Sequence, residues 1–147
     1  MPDLSIRLLI NLLSIAGALF AFWKGGPAER AAALIVLANA LIGEAAHWLA
    51  LGSEDIIRLV NDGLTALILL AVTVRYGALW MGGVMLFFAA QFTLHSFYLV
   101  TERSPTDYAH ALINNLDWSA ITWCLVIGTA VSWRRRVREA KMRSPAA

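Results

Sequence analysis

A chain of 147 residues that is 59% hydrophobic and only 15% charged, with a mean hydropathy of +0.65, is too apolar for an ordinary water-soluble domain. Its formal charge of +2 at pH 7 conceals an uneven distribution of charge along the chain. Its single cysteine, Cys124, excludes a disulfide framework and a thiolate metal site. These properties indicate a small membrane protein.

Five apolar stretches follow one another, and each is long enough to cross a bilayer as an α-helix, which takes about 20 residues. They cover residues 4–23, 28–51, 56–74, 78–100 and 109–133. The third is the weakest candidate, because Arg58, Asn61 and Asp62 fall in its first turns. The sequence therefore predicts an all-α bundle of five transmembrane helices. We expect it to form a single domain over residues 1–147, with a basic cytoplasmic tail at 134–147.

The charged residues are divided between the two ends of these helices. Nine of the twelve Lys and Arg residues lie on the side of the C-terminus, whereas eight of the ten acidic residues and all three histidines lie on the other side. Because basic residues favour the cytoplasmic side, this division predicts a cytoplasmic C-terminus and, with five spans, an N-terminus outside. The brevity and the multi-pass pattern are typical of bacterial inner (plasma) membrane proteins.

Polar side chains from all five stretches fall in the outer half of the predicted bundle. They are Asn11 in the first stretch, Glu44 and His47 in the second, Asn61 and Asp62 in the third, Gln91 and His95 in the fourth, and Asn114 and Asp117 in the fifth. A rise of roughly 1.5 Å per residue places the three carboxylates at similar depths. Residues three or four apart share one face of a helix, and lipid accepts a polar face only at high cost. We therefore expect these side chains to form a layer inside the bundle.

Three interpretations of this layer are open. In the first, the polar groups bond between helices and stabilise the bundle, and Asn39, nearer the middle of the membrane, is a further helix contact. In the second, nitrogen and oxygen ligands hold a divalent metal, and the candidates are Glu44, His47, Asp62, His95 and Asp117. In the third, His47 and His95 hold a haem, whose propionates the carboxylates would repel. The first explains the supporting amides most simply; these are Asn11, Asn61, Gln91 and Asn114.

The fifth stretch runs into a basic segment. If its helix continues into the arginines, it is longer than the membrane is thick and should protrude as a basic helix. The side chains placed to contact anionic lipid or an acidic partner are Arg134, Arg135, Arg136 and Arg138. Nothing outside this segment favours nucleic-acid binding.

These features predict a non-catalytic accessory or assembly subunit that works through a membrane-protein partner or through self-association. The alternative is a metal- or haem-binding membrane protein with a periplasm-facing His and carboxylate site, and with a redox or hydrolytic activity.

Overall fold

The computed structural model describes residues 4–49, 54–104 and 107–143, and the side chains of the first helix from residue 9 onward. These residues form five α-helices and contain no β-strand, so the predicted all-α class is confirmed. The helices are α1 (Leu4–Lys24), α2 (Pro27–Trp48), α3 (Glu54–Tyr76), α4 (Leu79–Val100) and α5 (Tyr108–Arg143). The expected end of the second stretch, at residues 50–51, and the last residues of the tail, 144–147, lie outside the described residues.

Local sequence explains how the chain turns between helices. Pro27 occupies the first turn of α2, where its missing N–H costs nothing, and the Glu29 carboxylate accepts the backbone N–H of Gly26 at 2.7 Å. Between α3 and α4 the chain turns at Gly77, whose φ of +63° suits a residue that has no Cβ. Because these connections are short, consecutive helices run antiparallel.

The five helices pack in a closed ring. Each helix contacts the next one along the chain, and α5 also packs along α1. A Cβ on Gly17 of α1 would lie 3.0 Å from Val126 Cγ2 of α5, and the Ser14 and Thr122 hydroxyl oxygens are 2.8 Å apart. Small and hydroxyl-bearing residues therefore allow α1 and α5 to approach closely and close the ring.

The two ends of the bundle differ in charge. We call the end with the α2–α3 and α4–α5 connections the acidic end, because Glu54, Asp55, Glu102 and Asp107 lie there. We call the opposite end, with Lys24, Arg30, Arg75 and the last turns of α5, the basic end. The apolar core lies between the polar layer and the basic end. Its largest fully buried hydrophobic side chains are Phe88, Leu69, Met81, Ile121 and Leu125.

Three of the helices, α2, α3 and α4, are long and apolar enough to cross a membrane. Only 22–28% of the residues in their apolar stretches are buried inside the structure, so most of the apolar surface faces outward. Large side chains such as Leu41, Leu67 and Leu86 are exposed on these helices. Lipid accepts such a surface, whereas water does not. These are the properties of a membrane protein.

Candidate functional site

A buried hydrogen-bonded joint connects α2 to α3. The side-chain amide of Asn39 donates one hydrogen bond to Asp62 Oδ1 and another to Thr65 Oγ1, each at 3.0 Å. The amide of Asn61 donates in the opposite direction, to the backbone carbonyl of Asn39 at 2.9 Å. Because Asp62 and Thr65 are three residues apart on one face of α3, a single amide reaches both. Asn39 is thus the helix contact that its position predicts.

Polar contacts continue from Asp62 to α4 and α5. Asp62 Oδ2 lies 3.3 Å from His95 Nε2, and the other ring nitrogen, His95 Nδ1, lies 3.3 Å from His110 Nε2. The Tyr98 ring packs against the His110 ring with 4.7 Å between centroids, and the Tyr98 hydroxyl donates to Asp107 Oδ2 at 2.9 Å. These contacts and the Asn39 joint link α2, α3, α4 and α5 in order.

A cavity of about 190 Å³ lies beside these contacts. At roughly 30 Å³ per water molecule, it has room for about six. One amide-bearing residue from every helix lines it, and the five are Asn11, Asn39, Asn61, Gln91 and Asn114. We call this space the amide cavity. Four of the five amides are the supporting residues expected from the sequence.

The wall of the amide cavity that faces the core is apolar. Val36 and Trp118 line it, and the Trp118 ring meets the fully buried Phe88 ring edge-on, with 6.0 Å between centroids. This wall separates the cavity from the basic half of the bundle.

The charged groups that line the amide cavity already have partners in the protein. Both carboxylate oxygens of Asp62 are engaged, by Asn39 and His95. Arg58 Nε and Nη2 lie 3.0 and 2.7 Å from Glu54 Oε1, and Glu44 also has an interaction partner. These charges are therefore matched within the bundle.

Gln91 differs from these groups. It is 1% exposed, and neither its amide oxygen nor its amide nitrogen has a hydrogen-bond partner among the described residues. A buried polar group without a partner costs about 1–3 kcal/mol. Such groups are rare in folded proteins, and each one calls for an explanation.

A second cavity, of about 240 Å³, lies closer to the acidic end. Tyr98, Arg103 and His110 help to line it, and His95 lines both cavities. The His95 imidazole therefore stands between the two spaces, with Asp62 on one side and His110 on the other.

The structure divides the five candidate metal ligands. Glu44, Asp62 and His95 line the amide cavity. His47 is half-exposed and lies 3.2 Å from Glu54 Oε1, whereas Asp117 lies outside the lining residues, with an Oδ2 atom that is buried and unpaired within the described part of the chain.

No three His, Cys, Asp or Glu side chains in the described ranges are grouped closely enough to hold a metal ion. His47 and His95 contact different carboxylates, so the geometry favours neither the metal nor the haem interpretation.

His110 and Tyr98 are the site residues that sequence reasoning missed. Both lie beside the α4–α5 connection, where tyrosines are expected as interfacial anchors and a histidine attracts no special attention. Their positions in the sequence could have indicated the contact. His95 and His110 lie on either side of the short α4–α5 connection, which brings the two helix ends together.

At the basic end, α5 continues past its apolar part as a basic arm, residues 134–143. Arg136 turns back to the bundle: its Nη2 donates to the Lys24 carbonyl at 2.9 Å, and its Nη1 lies 3.4 Å from the buried Glu29 carboxylate. The other three candidate contact residues, Arg134, Arg135 and Arg138, are exposed. The arm is therefore attached to the bundle by one arginine and presents the others outward.

The fold and the site define a small helical membrane protein with a polar cavity near one end. Comparison with models of protein families, with curated proteins and with solved structures gave no match to this chain.

Proposed function

We propose that this protein is a non-catalytic accessory or assembly subunit of a bacterial inner (plasma) membrane complex. It spans the bilayer five times, with its N-terminus outside and its C-terminus in the cytoplasm. Its polar layer lies in the outer leaflet and holds the helices together. Its basic arm extends into the cytoplasm and contacts a partner.

Two observations support five spans in this orientation. All five helices take part in the ring, including α1 and α5, which pack along each other. The basic end carries nine of the twelve Lys and Arg residues, and the cytoplasmic side of membrane proteins is enriched in them.

The observation that carries the proposal is the attached basic arm. At roughly 1.5 Å per residue, the 36 residues of α5 extend about 54 Å, well beyond a hydrocarbon core of about 30 Å. Because Arg136 contacts both the Lys24 carbonyl and Glu29, the arm leaves the bundle in a defined direction. Exposed arginines held in this way suit an acidic protein surface, and they also attract anionic lipid.

Copurification tests the proposal. The full chain, carrying an affinity tag, is isolated from its native membranes in a mild detergent, beside the triple variant Arg134→Gln/Arg135→Gln/Arg138→Gln. We expect a membrane protein to be recovered with the wild type in a fixed ratio and to be lost with the triple variant. Arg75→Gln serves as the control, because it removes a basic-end charge outside the arm and should keep the partner.

Two results would overturn the proposal. One is a wild-type chain that is recovered alone under every mild condition. The other is a partner that the triple variant retains in full. Binding of the purified chain to vesicles with and without anionic lipid shows how much of the arm's effect is due to lipid.

A further inference from the structure

The geometry points to the amide cavity as a binding site for a small uncharged molecule that carries both hydrogen-bond donors and acceptors, such as an amide, urea or hydroxyl compound. This inference goes beyond the proposed role as a subunit. For that role, the polar layer needs only to hold the helices together.

Gln91 provides the first argument. A buried side-chain amide offers two N–H donors and a carbonyl acceptor. Among the described residues, neither the amide nitrogen nor the amide oxygen of Gln91 has a hydrogen-bond partner. Gln91 lines the amide cavity, so a molecule in that space lies beside this unsatisfied amide. A ligand with a donor beside an acceptor matches this pattern, whereas one that has acceptors alone does not.

Charge provides the second argument. Asp62 and Glu44 would oppose an anion in the cavity, and Arg58 would oppose a cation. These groups are also engaged by protein partners, so a charged ligand would have to disrupt existing pairs. Of the five amides, those of Asn39 and Asn61 already bond in the α2–α3 joint. Asn11, Gln91 and Asn114 remain as the recognition groups. Amides bind uncharged donor–acceptor groups without any change in net charge.

Size and shape limit the ligand further. Sites for drug-sized molecules occupy about 300–1,000 Å³, and the amide cavity is about 190 Å³. The bound group therefore has only a few non-hydrogen atoms. Val36 and Trp118 offer a patch for a methyl or methylene group on one side.

Three probes with the same heavy-atom skeleton and different charge test the ligand class: acetamide, acetate and acetamidinium. Each is titrated into the full-length chain in lipid nanodiscs, and the side-chain amide signals of Gln91 and Asn114 are followed by NMR. We expect saturable shifts with acetamide, with a Kd on the order of millimolar for so few atoms. Acetate and acetamidinium should bind at least about tenfold more weakly, which corresponds to one hydrogen bond lost to a charge mismatch.

A matched pair of variants tests the role of Gln91. Gln91→Leu should weaken acetamide binding by about tenfold or more, as reported by the Asn114 signal. Asn115→Leu removes an amide of α5 that does not line the cavity and should leave the affinity unchanged. If Gln91→Leu does not fold, Asn114→Leu takes its place, with Gln91 as the reporter.

Three outcomes would overturn the inference: no saturable shift with acetamide, equal or tighter binding of a charged probe, or full affinity in the cavity variants. None of them depends on the partner experiment, because the copurification variants alter only the basic end.

Discussion

At the scale of single residues, Asn39 connects α2 to two polar groups of α3. It donates to both Asp62 and Thr65, and these three buried groups have few other partners. Hydrogen bonds between helices in a membrane contribute only about 0.6 kcal/mol each on average. The larger effect comes from leaving a buried group unpaired, which costs about 1–3 kcal/mol.

We therefore expect Asn39→Ala to lower the free energy of unfolding by about 1–3 kcal/mol, because Asp62 Oδ1 and Thr65 Oγ1 both lose their donor. Asn115→Ala is the matched control, since the Asn115 side chain takes no part in the joint, and it should change stability by less than about 0.5 kcal/mol. Unfolding in a mixed-detergent titration measures both. Equal stability of Asn39→Ala and the wild type would mean that the joint does not stabilise the bundle.

The sequence predicts which polar residues point into the bundle, but not which of them contact one another. The cost of placing amides and carboxylates in lipid shows that Asn61, Gln91 and Asp62 point inward, and the structure places all three on the amide cavity. The pairing was not predictable. Helical spacing shows on which face of its helix His47 lies, but not how the neighbouring helices are rotated about their axes. In the structure, His47 contacts Glu54.

At the scale of helices, the contact of α4 with α5 depends on a missing side chain. The Trp80 ring lies against Gly128, and a Cβ at that position would overlap the ring. Gly128 is itself buried within α5. The glycine thus permits a close approach between helices rather than a turn of the chain.

Gly128→Ala should lower the free energy of unfolding by about 1–3 kcal/mol, the usual cost of overpacking a core. Gly82→Ala, in contrast, is expected to raise the free energy of unfolding. No atom lies within 4 Å of a Cβ at Gly82, and alanine favours a helix interior over glycine by about 0.5–1 kcal/mol. The same unfolding titration distinguishes the two. A Gly128→Ala protein as stable as the wild type would show that the two helices separate more easily than their packing indicates.

The helices themselves were predictable because apolar length and turn residues act locally. Pro27 and Gly77 mark connections in the sequence and lie at connections in the structure. The protruding end of α5, through Arg143, follows from the same local preference. The order of helices around the ring was harder to predict, because the contact of α1 with α5 joins residues more than a hundred positions apart, such as Ser14 and Thr122.

At the scale of the whole molecule, we propose different roles for the two ends. The acidic end contains the polar layer and the amide cavity, and the basic end contains the arm. The apolar core lies between them, with Phe88 and Leu125 fully buried in it. In the proposed topology, the proposed ligand site and the proposed partner site lie on opposite sides of the membrane.

The assignment of different roles to the two ends requires that the chain cross the bilayer five times, with the acidic end outside. Labelling of single cysteines with a membrane-impermeant maleimide tests this most directly, on a Cys124→Ser background. Leu49→Cys and Arg103→Cys place a thiol at the acidic end, and Tyr76→Cys and Lys141→Cys place one at the basic end. In intact spheroplasts we expect the first pair to be labelled and the second pair to be labelled only after lysis. The reverse pattern, or labelling of Arg103→Cys and Lys141→Cys from the same side, would contradict the account.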